Sequence, residues 1–191
     1  MRGYFGIGVL GISKAMNVGS LLRSAHAFGA SFAFTIAAAY PRGEGKLADT
    51  SDTPSSVPFY EFASLADFRL PVGCTLVGVE LTDEAIDLPR FRHPTSCAYV
   101  LGAERTSLPS ELLQRSAHVV KIPTRFSLNL ALAGALVMYD RVLSLGGYPV
   151  RPTRPGGAPM PLTKVVFGAP RYGRNKGKRP ASWPRAPAKG G

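Results

Sequence analysis

Tyr4-Phe-Gly-Ile-Gly-Val-Leu10, then Asn17-Val-Gly-Ser-Leu-Leu-Arg23, then Phe28-Gly29, reads as one strand feeding one helix. The first run is short, apolar and glycine-containing, which suits a buried strand. Over residues 16–28 the apolar side chains Val18, Leu21, Leu22, Ala25 and Phe28 recur at helical spacing. The run stops at Gly29, because glycine takes the left-handed conformation that closes a helix.

The alternation continues outward from this unit. Residues 31–38 predict a second strand, and residues 41–58, rich in Gly, Pro, Ser and Asp, predict a loop. Residues 59–69 predict a short helix and residues 74–81 a strongly apolar strand ending near Glu80. After a polar stretch come a strand at 97–101, a helix near 109–115 and a strand at 118–122. The last helix, residues 127–145, carries Leu128, Leu130, Leu132, Leu136, Val137 and Met138, which predicts burial on more than one side. Strand and helix alternating in this way predict the α/β class, a mostly parallel sheet with helices on both faces.

A chain of 191 residues suits one domain with a real core. Its net charge of +11 is carried by one end. Residues 150–191 hold ten Lys and Arg with no acid, leaving 13 bases against 12 acids in residues 1–149. Those last 42 residues also hold eight Pro and seven Gly, a composition that cannot offset the entropy of ordering. The reading is therefore a domain over 1–149 and a basic, Pro/Gly-rich disordered tail over 150–191. Phe167, Tyr172 and Trp183 lie among Arg171, Arg174, Lys176, Lys178 and Arg179. That mixture suits phosphate neutralisation with base stacking, so the tail is expected to contact RNA.

Several signals are set aside. Gly6-Ile-Gly-Val-Leu-Gly11 matches GxGxxG, but only five residues precede it and the first acid is Glu44, so the dinucleotide context is missing. Cys74 and Cys97 sit in apolar runs and read as core residues. His26, His93 and His118 have no metal or triad spacing, and the adjacent Asp83 and Glu84 read as a solvated loop. No stretch is long and apolar enough for a membrane span, and no export signal opens the chain, so the expected place is the cytoplasm.

Three stretches remain that point to chemistry: Asn17-x-Gly19-x-x-x-Arg23-x-Ala25-x-x-Phe28-Gly29, then Leu101-Gly-Ala-Glu104, then Ile122-Pro-Thr-Arg-Phe-Ser-Leu-Asn129. Local propensity alone makes Asn17 and Ser127 helix caps and the middle stretch a turn. Taken together and in this order, they resemble the SpoU/TrmH family of RNA ribose methyltransferases. Thr106 stands where that family usually has a glycine, and the connector Thr124-Arg-Phe126 is shorter than in many relatives.

The resemblance implies an α/β fold with a deep C-terminal trefoil knot, a homodimer, and S-adenosylmethionine as cofactor, with no metal. It implies backbone contacts to the cofactor at Val79, Gly102, Ile122 and Leu128, with Ser127 and Asn129 lining the site and Glu104 as the family's acid. Arg23 would act on the ribose 2′-hydroxyl with Asn17 in support, approaching a cofactor bound mainly by the other subunit. A guanidinium holds its proton far above neutral pH, so Arg23 suits stabilisation of a developing alkoxide better than proton abstraction. Arg125 could reach the RNA. The expected reaction is methyl transfer to a ribose 2′-oxygen, in tRNA rather than rRNA, since the ending Leu145-Gly-Gly-Tyr-Pro149 resembles minimal members that modify the tRNA wobble position. A catalytically silent RNA-binding member of the same fold and a nicotinamide-dependent oxidoreductase are the rival readings.

Overall fold

A computed structural model describes residues 3–41, 56–103 and 107–148. Seven strands, β1 (Tyr4–Leu10), β2 (Phe32–Ile36), β3 (Phe59–Phe62), β4 (Thr75–Val79), β5 (Ile86–Asp87), β6 (Ser96–Gly102) and β7 (His118–Lys121), form one sheet in the order β3-β2-β1-β6-β4-β7-β5. All the pairings are parallel. Among the described residues the α-helices are α1 (Ala15–Ala27), α2 (Ser110–Arg115) and α3 (Leu130–Ser144).

The sheet is parallel because both of its faces are covered, which is why its central strands read as continuous apolar runs. One face carries Phe5, Ile7, Val9, Tyr99 and Leu101, packed under Leu21 and Leu22 of α1 and Val137 and Met138 of α3. The other carries Phe32, Phe34, Ile36, Ala98 and Val100 with Phe68 and Leu112 of α2. Strand β6, formed late in the chain, is inserted between β1 and β4.

Two of the three glycines of the GxGxxG match, Gly6 and Gly8, belong to this packing. A Cβ on Gly6 would come within 2.2 Å of the Phe32 ring, and one on Gly8 within 2.4 Å of Phe34. They are spaces for aromatic rings of β2, inside a strand rather than at a phosphate-binding turn.

Three local expectations are corrected. Residues 59–69 begin as strand β3, because Phe59–Phe62 completes the open edge of β2, and Phe62 packs edge-on against Phe34 and Phe68 at ring distances of 6.4 and 5.3 Å. Aromatic residues favour such a pleated surface. The last helix starts at Leu130 rather than Ser127, and its cap is Asn129, whose Oδ1 accepts from the N–H groups of Ala131 (3.0 Å) and Leu132 (3.3 Å). That helix buries one stripe only: Leu130, Gly134, Val137, Met138 and Arg141 point inward, while Leu132, Leu136 and Tyr139 stay exposed.

Arg141 is 2% exposed and fastens the far end of α3 to the sheet. Its guanidinium donates to the carbonyls of Pro94 (2.6 Å) and Thr95 (2.8 Å) and lies over the Phe5 ring at 4.9 Å. It also meets the Tyr99 hydroxyl at 3.3 Å, and Tyr99 in turn bonds His93 Nδ1, whose Nε2 lies 2.9 Å from Asp140. Burial pushes the Tyr99 hydroxyl far up and the His93 imidazole down, the latter opposed by its bond to Asp140. Cys97 is buried beside this group and Cys74 is half-buried; both are free thiols.

Candidate cofactor site

In an open parallel sheet the groups beyond the carboxyl ends of the strands have no further ladder to join, so ligands bind there, where the strand order reverses. Here the ends of β4, β6 and β7 are held level: Val79 pairs with Leu101 on one side and Val120 on the other. Beyond them lies a cavity of about 370 Å³. Of the six positions that the family resemblance places there, Val79, Gly102, Ile122, Ser127 and Leu128 line it and Asn129 does not. Those five reach it from the ends of β4 and β6, from the residue after β7 and from the segment leading into α3.

The residues expected to act on the substrate are distributed differently. Asn17 is half-buried in the first turn of α1 and Arg23 is exposed further along that helix. The α1 cap is Lys14, not Asn17. Among the described residues none from α1 lines the cavity. Arg125 is exposed within the 122–129 connector, which is tightened by a bond from the Thr124 hydroxyl to the Phe126 carbonyl at 2.9 Å. Asn129 lies between the lining residues Leu128 and Leu130 but is not among them; its side chain caps α3 instead. Glu104 and the tail residues Arg171, Arg174, Lys176, Lys178 and Arg179 lie outside the described residues.

Two charged lining residues escape the sequence reading. Glu80 follows β4 directly; its Oε2 accepts the N–H of Leu108 at 2.7 Å and its Oε1 the N–H of Leu81 at 3.1 Å. Lys121, at the end of β7, donates from Nζ to the carbonyls of Thr82 (2.9 Å) and Asp83 (3.0 Å). The available signal is a charge placed where an apolar strand stops, which marks the rim of a parallel sheet.

Chemically, the cavity combines apolar walls from Leu81, Leu101, Leu128 and Leu130 with strand-end backbone groups, the Ser127 hydroxyl and one carboxylate. Its volume falls within the roughly 300–1,000 Å³ of small-molecule sites. That set fits an adenosyl group, a flat apolar base joined to a polar sugar. Among the described residues no cluster of three or more His, Cys, Asp or Glu gathers as a metal site, and no helix is long and apolar enough to cross a membrane.

The profile of the SpoU rRNA Methylase family matches residues 5–139. The mouse protein tRNA (guanosine(18)-2'-O)-methyltransferase TARBP1 is 30% identical over 146 residues, which cover 68% of this chain and 9% of that protein. This chain therefore spans under a tenth of the length of that relative. A structure concerned with 2-OH methylation of C/U34 on tRNA is similar at a TM-score of 0.67 and 26% identity, covering 76% of this chain and 99% of the other. An AdoMet-bound rRNA methyltransferase from Sinorhizobium meliloti shares the fold at a TM-score of 0.67 and 22% identity, over 76% of this chain and 58% of its own.

Proposed function

The chain belongs to the SpoU rRNA methylase family, and from that premise we propose that it transfers a methyl group from S-adenosylmethionine to a ribose 2′-hydroxyl in RNA, with tRNA as the favoured substrate. The observation that carries the proposal is the convergence of Val79, Gly102, Ile122, Ser127 and Leu128 on one cavity at the carboxyl end of the sheet. When bound there, S-adenosylmethionine supplies a methyl group on a positively charged sulfur, an electrophile already activated for transfer.

The chain's own residues then have two tasks. The strand-end backbone at Val79, Gly102 and Ile122 fixes the cofactor, and the capped start of α3 at Asn129 holds Ser127 and Leu128 against it, with Glu104 as the family's acid. Arg23 grips the phosphate beside the target ribose and stabilises negative charge as the 2′-oxygen attacks, with Asn17 orienting it; the methyl–sulfur bond breaks to leave S-adenosylhomocysteine, and the hydroxyl proton passes to water. Holding donor and acceptor in line supplies the rest of the acceleration.

Arg23 lies on an exposed helix surface away from the cavity lining of its own chain, so a second copy supplies it in this proposal. The outward stripe Leu132, Leu136 and Tyr139 on α3, 51%, 37% and 41% exposed, supports such a homodimer. The trefoil knot is part of the same proposal. What supports it is the insertion of β6 between β1 and β4, and a last helix that leaves β7 on one side of β4 yet packs against α1. Arg125 and the basic residues of the tail, Arg171 to Arg179, are proposed to hold the RNA.

The test is incubation of the full chain with methyl-labelled S-adenosylmethionine and either total tRNA or rRNA, followed by nucleoside analysis. Labelled 2′-O-methylnucleosides from tRNA are expected. Labelled product from rRNA alone would overturn the substrate preference, and no labelled ribose would overturn the reaction.

A further inference from the structure

We propose that Glu80 is a nucleoside-binding residue, its carboxylate receiving a ribose hydroxyl of the cofactor in the cavity at the end of β4. The inference rests on the reading above that this cavity holds an S-adenosyl group.

Glu80 is held in place from several sides. Its own N–H donates to the Val120 carbonyl at 3.0 Å, which ties its backbone to β7. Its carboxylate is fixed by two N–H donors from different segments, Leu108 at 2.7 Å and Leu81 at 3.1 Å. A carboxylate offers about four acceptor positions; two are taken, so acceptor capacity remains on a residue that lines the cavity. Among the described lining residues it is the only carboxylate, and the one lysine there, Lys121, directs Nζ to the carbonyls of Thr82 and Asp83.

An acceptor-only group set between Val79 and Leu81 selects a part of the ligand that carries donors. In an adenosyl group the ribose presents two neighbouring hydroxyls, a rigid pair of O–H donors matched to a carboxylate. Because both oxygens are already oriented by backbone N–H groups, the acceptor is preorganised before the ligand arrives. The bond to Leu108 gives Glu80 a second consequence: it ties the end of β4 to the residues that lead into α2.

The experiment is calorimetric titration of S-adenosylhomocysteine and of its 2′-deoxy and 3′-deoxy counterparts into the full chain and into Glu80→Gln. Glutamine retains an oxygen for the Leu108 N–H, and a thermal melt checks the fold. The wild-type chain is expected to bind the parent compound about tenfold or more tightly than at least one deoxy counterpart, the weight of one hydrogen bond to a charged acceptor. In Glu80→Gln that ratio should fall towards one. An equal ratio in both proteins would make Glu80 a loop fastener alone and overturn the inference. So would a wild-type chain that binds all three equally, a result that needs no variant. Absence of binding by any of the three would instead contradict the cofactor reading beneath it.

Discussion

Leu10 and Gly102 are register partners in the parallel ladder between β1 and β6. The chain therefore leaves its first strand beside the glycine that lines the cavity, and α1 starts on the same rim of the sheet. Arg23 lies eight residues beyond Ala15, about 12 Å along the helix at 1.5 Å per residue. Rim and arginine are thus separated within one chain, and this distance supports the composite site proposed above.

Arg23→Ala is expected to leave cofactor affinity within about twofold while lowering turnover roughly 100- to 1,000-fold, the usual weight of one charge-stabilising donor. Arg23→Lys should recover only part of the rate, since lysine lacks the planar fork. Calorimetry and single-turnover rates measure the two quantities separately. A matching loss of cofactor affinity would place Arg23 in its own chain's cavity.

If two copies share a site, mixing chains carrying Arg23→Ala with chains carrying Ala133→Leu should restore activity, because one composite site then has both an intact cavity and an intact arginine. Mixtures no more active than their components would argue that each chain works alone.

Asn129→Ala should destabilise the protein by about 1 kcal/mol, the typical worth of a helix cap, while Asn129→Asp should retain most of the stability. Chemical denaturation reads this directly. An unchanged midpoint for the alanine variant would mean that the two bonds to Ala131 and Leu132 contribute nothing.

Much of the architecture was legible in the sequence, and the failures have identifiable causes. The strands β1, β4 and β6 announce themselves because burial on both faces leaves little room for polar residues. Strand β3 did not, since Phe59, Tyr60 and Phe62 also fit a helical face, and only the open edge of β2 decides between them. Ser127 and Asn129 are both good cap residues by type; the N–H groups of Ala131 and Leu132, which bond Asn129, mark the one the helix follows. The cavity-lining residues Gly102, Ile122, Ser127 and Leu128 lie in the three motifs, whereas Glu80 could not be named, because a glutamate after an apolar strand gives no sign of the backbone N–H group that reaches it from Leu108. Arg141 was invisible for the same reason. Nothing local distinguishes a helical arginine in solvent from one whose carbonyl partners, Pro94 and Thr95, lie 46 residues or more earlier in the chain.

His93 makes stability depend on pH in a defined direction. Burial lowers its pKa below the ordinary 6.5, so the unfolded chain takes up a proton that the folded chain resists. Its contribution is fully present above about pH 6.5 and is lost as the pH falls from there towards the folded value. Denaturation midpoints should decline over that window, and His93→Asn should flatten the decline. An equally steep decline in the variant would assign it to other groups.

Replacing Arg171, Arg174, Lys176, Lys178 and Arg179 with glutamine in the full chain should weaken RNA binding. It should also make the logarithmic salt dependence shallower by about 0.7–0.9 per lost phosphate contact. Unchanged affinity and slope would remove the tail from RNA recognition.

The central claim is that the space beyond β4, β6 and β7 holds S-adenosylmethionine. The most direct measurement is calorimetric titration of that compound into the wild-type chain and into Ala133→Leu, whose larger side chain occupies the cavity that Ala133 lines. Saturable binding at one equivalent per chain, weakened tenfold or more in a variant that melts normally, is the predicted result. Failure of the wild-type chain to bind, or equal binding by the variant, would contradict it.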